Sequence, residues 1–366
     1  MRPKVLVISN YKATHTVRPE AEIFIGLADL GFDIHIMTDK SAEYVEKFEK
    51  AGIKVIDFLP KKKFDKQEIA YIWEALQREK YDIMHLFTNT AAVNGIRAAK
   101  GLPVKLLLYR GYTGNINWWD PTMYIKFLNP RVDKIFCNSK GVEELFHRQL
   151  FFDKSKAVTI NKGHDLAWYE DYKPLDIRKE LDLPEDAFLM INVSNNRRMK
   201  GIPYLMKAMN LLPSEANIHL LMAGRDLDSP QNIKLLEKGL NRDKVHFLGF
   251  RKDVLNIVAA CDLFVLPSIK GESITKSVIE AMSLGTPALI TDIPGNRELL
   301  EHETSGLKVP RKNPKALADA MMRLYNNQKF CSELGRNAKQ YIHEHLNTRQ
   351  TVQKTKALYE GLLNVR

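Results

Sequence analysis

The sequence lacks any unbroken apolar run near the roughly eighteen residues that a membrane-crossing helix needs, so no transmembrane segment is expected. Cysteine is scarce. Cys137, Cys261 and Cys331 are far apart and carry no metal-ligand spacing, which excludes a disulfide framework or a cysteine zinc site and leaves buried free thiols. His15, His85, His164 and His302 are scattered, without the spacing of a metal site or a catalytic triad. No metal is therefore expected. Met1-Arg2-Pro3-Lys4 runs straight into a strand pattern with no signal-peptide core, so a cytoplasmic location is expected. Low-complexity tracts and short-period repeats are absent as well. The 45% hydrophobic and 27% charged fractions are ordinary for a globular protein, and 366 residues exceed one compact core and suggest two domains.

Acidic charge is the other shortage: 44 Asp and Glu against 55 Lys and Arg leave a net charge of +11. Such a balance suits a negatively charged partner: nucleic acid, anionic lipid headgroups and nucleotide phosphates all qualify. A solvated basic face accounts for most individual lysines. The run Lys61-Lys62-Lys63-Phe64-Asp65-Lys66 lies between a strand pattern ending near residue 58 and a helical pattern over 67–78. It reads as a surface loop that is either solvated or in contact with a membrane or an anionic acceptor.

What is present is alternation. Short apolar runs at 5–9, 34–38, 54–58, 83–86, 105–109 and 134–137 are separated by amphipathic segments such as 20–30 and 91–99, which predicts a parallel sheet with helices on both faces. After a polar connector near 168–173 a second set follows at 188–193, 218–223, 245–248, 263–266, 288–291 and 307–309. Helical patterns over 313–326, 333–344 and 348–363 close the chain. Two doubly wound α/β domains are expected, 1–165 and 166–347, with 348–366 a terminal helix crossing back to the first domain and a ligand cleft between the two.

The chemistry concentrates in Gly271 to Met282, where Glu272 and Glu280 stand eight positions apart. An apolar strand ends before Pro267, and a helix is predicted from near Thr275 to the stop signal Gly285-Thr286-Pro287. Glu272 then lies in a loop and Glu280 in a helix packed on a sheet, where a carboxylate needs a hydroxyl or a cation. The intervening loop opens a helix whose free amides suit a phosphate. One short segment would thus hold the hydroxyls and phosphate of a sugar nucleotide.

Ser194-Asn195-Asn196-Arg197-Arg198-Met199-Lys200-Gly201 follows a strand and precedes a helix, either as a pyrophosphate clamp or as a basic surface turn. Gly295, after the strand at 288–291, permits close backbone approach to a ligand or simply makes a turn. Arg110, ending a first-domain strand before Gly111, faces the cleft or pairs with a surface carboxylate. Trp118-Trp119-Asp120-Pro121 with Met123, Tyr124, Ile125, Phe127 and Leu128 reads as a core helix, the alternative being an interfacial element that meets lipid with Lys126, Arg131 and Lys134.

Over nearly its full length the chain resembles the retaining glycosyltransferases of family 4, with their two-domain GT-B fold. Glu272 and Glu280 match the Glu-x7-Glu signature within residues 271–287. Lys200-Gly201 matches the strand, loop and Lys-Gly element, residues 160–165 look like the family's Asn-Gly-x-Asp turn, and residues 301–310 resemble its closing element. The resemblance implies that Glu272 binds hydroxyls of the donor sugar and Glu280 the ribose. It also implies that Lys200 and an arginine, Arg197 or Arg198, hold the diphosphate while amides around Ser273, Ile274 and Thr275 contact sugar or phosphate. Arg110 is then a further donor contact. The implied reaction is transfer from a UDP-, GDP- or ADP-sugar to a glycan or lipid-linked glycan with retained anomeric configuration and no required metal or further cofactor. An anionic membrane surface is a second expected partner, with the protein peripheral on the inner face of the membrane, and nucleic acid is not expected.

Three departures from that pattern stand out. No glycine lies between Ser9 and Arg18, where the family has a glycine-rich loop; Asn195 stands in place of the usual arginine; and Arg110-Gly111 replaces the common His-Gly. A subset of bacterial members has a similar Tyr-Arg-Gly segment, which makes this subfamily variation. The alternatives are a non-catalytic protein that binds nucleotide sugars or docks on membranes, and a nucleotide-sugar 2-epimerase, which would need carboxylates and a histidine around the sugar's C2.

Overall fold

The computed structural model describes residues 2–151 and 153–364; the side chains of residues 14–16, among them His15, lie outside this description. It divides into two compact units, Met1–Gly163 with Thr348–Arg366, and His164–Asn347. The first contains β1 (Lys4–Ile8), α1 (Thr14–Asp29), β2 (Asp33–Thr38), α2 (Val45–Lys50), β3 (Lys54–Asp57), α3 (Lys66–Glu79), β4 (Ile83–Leu86), α4 (Asn89–Ala98), β5 (Lys105–Arg110), β6 (Lys134–Cys137), α5 (Lys140–Gln149) and β7 (Ala157–Thr159). Its strands pair in parallel in the order β3-β2-β1-β4-β5-β6-β7. Successive strand residues feed opposite faces: Leu6 and Ile8 pack with the side of α3, α4 and α5, whereas Val5 and Val7 pack under α1 and α2.

The second unit contains α6 (Ile177–Glu180), β8 (Phe188–Val193), α7 (Ile202–Met209), β9 (Ile218–Ala223), α8 (Pro230–Leu236), β10 (Val245–Gly249), α9 (Val254–Ala259), β11 (Leu263–Leu266), α10 (Lys276–Ser283), β12 (Ala288–Asp292), β13 (Gly306–Pro310), α11 (Pro314–Asn326) and α12 (Gln328–His345). Its sheet is also parallel, in the order β10-β9-β8-β11-β12-β13. Strand order reverses beside β8, so the crevice beyond the carboxyl ends of β8 and β11 is the expected ligand position. The corresponding reversal in the first unit lies between β1 and β4.

α13 (Thr348–Asn364) belongs to the first unit and packs along α1. Gly26 is where they meet, since a Cβ there would sit 2.7 Å from a Val352 methyl. At its centre Tyr359 Oη lies 2.8 Å from Nδ1 of His85 on β4, both fully buried. Burial, helped by the positive charge of Lys162, pushes the His85 imidazole down to about 3. In the unfolded chain a histidine takes up its proton near pH 6.5, so between there and about 3 the unfolded state binds the extra proton. Stability is therefore present above that window and lost as pH falls through it, at up to about 1.4 kcal/mol per pH unit. Urea titrations at pH 7 and pH 5 should show a steeper loss for the wild-type chain than for His85→Gln; equal losses would mean that His85 titrates normally.

Three elements differ from the sequence expectation. The aromatic segment after Trp118 makes no α-helix: Pro121–Ile125 is one 3-10 turn capped by Asp120, whose carboxylate accepts from Thr122 N. Met123, Phe127 and Leu128 are buried, but Trp118 and Trp119 are 50% and 67% exposed. The connector near 168–173 is structured, with Tyr169 buried and its hydroxyl 2.5 Å from His164 Nδ1. Helix α12 starts at Gln328 rather than 333, because Asn327 caps it by accepting from Phe330 N.

Candidate functional site

The two basic and acidic segments meet at the β8/β11 crevice. Lys200 ends a 3-10 turn, Arg198–Lys200, that leaves β8, and its Nζ donates to Glu272 Oε1 at 2.7 Å. Ser268 Oγ donates to the same oxygen at 2.7 Å. Glu272 is buried, and 16% of the Lys200 side chain remains exposed at the crevice. Backbone joins the loops as well, through Ile269 N donating to Met199 O at 2.8 Å.

Gly201 makes this approach feasible. It lies in the left-handed region at φ 69°, and a Cβ there would fall 2.0 Å from Pro267 O. The loop after β12 closes in the same way: a Cβ on Gly295 would fall 1.9 Å from Glu272 O and 2.8 Å from Ser273 Cα. The close approach expected at Gly295 is therefore to neighbouring protein backbone.

Thr275, at the start of α10, donates through Oγ1 to Asn296 Oδ1 at 3.0 Å. The other end of that fully buried amide, Asn296 Nδ2, has no partner among the described residues, and neither does the buried Ser273 Oγ. The backbone amides of Ser273, Ile274 and Thr275 likewise have no protein acceptor among the described residues. Buried polar groups left unmatched in this way are costly without a ligand or water, which marks the loop as a place for an acceptor-rich group. Sequence reasoning missed Asn296, because a lone asparagine after a turn glycine carries no signal until its partner Thr275 is placed beside it.

Glu280 lies in α10 with its side chain 15% exposed, and its cation is Lys276, one turn earlier, on Oε1. The cation that the sequence required is thus supplied within the same helix. Arg197 and Arg198 share the Lys200 loop, are exposed and have no side-chain partner among the described residues. Arg110 is elsewhere, on β5 in the first unit.

At the β1/β4 reversal of the first unit the loop lacking glycine is filled by its own side chains. Tyr11 is fully buried with its ring 4.8 Å from that of Phe48, and Ser9 Oγ donates to Glu20 Oε1 at 2.5 Å. Lys162 Nζ completes the cluster, 2.5 Å from Glu20 Oε2 and 3.7 Å from the centre of the Tyr109 ring. Burial works against the Lys162 charge, but Glu20 and then Tyr109 hold its ammonium above the ordinary lysine range. Among the described residues no group of three His, Cys, Asp or Glu side chains is arranged to hold a metal, and no helix is long and apolar enough to cross a membrane.

Comparison with known proteins agrees with this architecture. Residues 21–168 match the family model described as Glycosyltransferase Family 4, and residues 175–341 the model described as Glycosyl transferases group 1. An Escherichia coli relative, the UDP-Gal:alpha-D-GlcNAc-diphosphoundecaprenol alpha-1,3-galactosyltransferase, is 24% identical over 313 residues, covering 81% of this chain and 79% of its own. The N-acetyl-alpha-D-glucosaminyl L-malate synthase of Bacillus anthracis is 23% identical, covering 92% of this chain and 91% of its own. Among solved structures, Anabaena HepE in complex with UDP superposes with a TM-score of 0.77 at 19% identity over 99% of this chain and 100% of that one. The fold is the GT-B fold.

Proposed function

The chain belongs to the glycosyltransferases of family 4, and from that premise we propose that it transfers a glycosyl group from a UDP-sugar to a lipid-linked glycan with retention of anomeric configuration. The observation that carries this is the convergence of Lys200, Glu272 and the unmatched donors of 273–275 on one strand-order reversal. The UDP assignment draws on the UDP named for HepE and for the E. coli relative.

In this reading Lys200, with Arg197 or Arg198, binds the diphosphate, and the amides of Ser273, Ile274 and Thr275 add neutral donors to it. Glu280 takes the ribose hydroxyls, and Glu272 takes hydroxyls of the sugar. Asn296 Nδ2 and Ser273 Oγ serve the same ligand from beneath. The bond from C1 to the phosphate oxygen breaks while the bond from C1 to the acceptor oxygen forms on the same face, and the acceptor's proton passes to the departing phosphate oxygen. Fixed cations aimed at that oxygen stabilise the charge it gains, with no metal required.

The acceptor is met at an anionic membrane surface. Exposed Trp118, Trp119 and Tyr124 lie on the first unit with the Lys61-Lys62-Lys63 loop, a pairing of interfacial aromatics and cations suited to headgroups. Incubation with UDP-sugars, a polyprenyl-diphosphate-linked glycan and phosphatidylglycerol vesicles tests all of it. Release of UDP matched to a lengthened glycan supports transfer, and salt-sensitive cosedimentation with the vesicles supports docking. Donor binding without turnover would favour a non-catalytic protein, and isomerised nucleotide sugar an epimerase.

A further inference from the structure

The first unit holds a cavity of about 250 Å³ where β4 and β5 end, lined by Phe87, Thr88, Asn89, Tyr109, Arg110 and Phe127 among others. Among the described residues Arg110 is the one cation in its wall and no carboxylate lines it; the residue is 3% exposed. Its guanidinium stacks 3.5 Å from the centre of the Tyr112 ring and 5.0 Å from that of Phe127. Nε donates to Tyr112 O at 3.2 Å and Nη2 to Gly114 O, leaving Nη1 without a protein acceptor among the described residues. A buried cation faced only by carbonyls and ring faces is expensive to keep unless an anion joins it.

Two further features point the same way. Lys126 reaches the rim, its Nζ donating to Asn89 Oδ1 at 3.3 Å. Burial lowers the Lys126 ammonium from its ordinary range, and the charges of Lys63 and Arg110 lower it further against the opposing pull of Asp120. The cavity floor is the start of α4, where Thr88 Oγ1 caps Ala91 N while the amides of Asn89 and Thr90 have no protein acceptor among the described residues. Free amides at a helix start favour phosphate. Aromatic walls would flank the carbon skeleton next to it.

We infer that this cavity binds a phosphoryl group of the acceptor, the diphosphate joining glycan to lipid, through Arg110, Lys126 and the start of α4. This rests on the lipid-linked transferase reading above and gives Arg110 to the acceptor where the family resemblance gave it to the donor.

The test uses the full chain saturated with UDP, so that the donor crevice is filled. Farnesyl diphosphate, inorganic pyrophosphate, farnesol and L-malate are titrated by calorimetry into wild type, Arg110→Gln and Lys126→Gln. The two diphosphates should bind and farnesol should not, and Arg110→Gln should weaken diphosphate binding roughly 10- to 100-fold, the usual loss of a charged hydrogen-bond pair. UDP affinity should be unchanged in both variants. Wild-type diphosphate affinity in the variants would overturn the assignment, as would malate binding as tightly as pyrophosphate, and UDP binding makes either result independent of the donor reading. If Arg110→Gln does not fold, Lys126→Gln at the half-buried rim decides the matter. Failure of the wild-type chain to bind UDP would instead strike the proposed function.

Discussion

Lys200→Ala should lower kcat/KM for glycosyl transfer by about 10²- to 10³-fold, the loss typical when one donor aimed at developing charge is removed. The reason is geometric. Lys200 Nζ is held at 2.7 Å on Glu272 and stands at the β8/β11 reversal, where a departing diphosphate would draw on it as charge accumulates. Glu272→Ala should act through the same unit, so the double variant should lose far less than the product of the single losses. The pair is mostly enclosed, with side chains 16% and 9% exposed, and breaking it should also cost about 1–3 kcal/mol of stability. Steady-state kinetics beside thermal melts separate the two effects. Wild-type turnover in both single variants would end the assignment of this site.

Gly295→Ala should be nearly as damaging although residue 295 offers no side-chain chemistry. The new Cβ would fall 1.9 Å from Glu272 O and 2.8 Å from Ser273 Cα, both backbone atoms that cannot rotate away. The loop carrying Glu272 must then shift by about an ångström, and a misplacement of that size costs on the order of 10²-fold in rate. Overpacking should add about 1–3 kcal/mol of destabilisation. Gly361→Ala is the control: it lies in α13, its Cβ would meet nothing within 4 Å, and helix propensity favours it by about 0.5–1 kcal/mol. Full activity in Gly295→Ala, measured with its donor affinity, would show that the 293–296 loop does not position Glu272.

Much of the fold was legible because strands buried on both faces must be apolar throughout. All six strands of the second unit appear as short runs such as 188–193 and 263–266, and the structure places them within one residue of those bounds. β7 escaped notice because it is a three-residue edge strand with only Ala157 buried. The Trp118 segment misled because dense aromatics suggest a core helix, whereas Pro121 and the Asp120 cap divert it into a 3-10 turn with both tryptophans outside. The Lys200 and Glu272 loops were each visible as polar breaks after strands, but the 2.7 Å bond between them, 72 residues apart, was not.

By itself the sequence determined the class of the protein: alternating apolar runs set two parallel sheets because local pattern governs local structure, and Glu272, Glu280 and Lys200-Gly201 carry the family resemblance from which the proposed donor site is drawn. The tertiary structure alone decided which groups stand together. It put Asn296 under Thr275, supplied Lys276 to Glu280, packed Gly295 on the backbone of Glu272, and enclosed Arg110 in a cavity with no carboxylate among its described lining residues. Those pairings depend on which strands are neighbours in the sheet and on how closely glycine lets loops approach, neither of which is written at any single position in the chain.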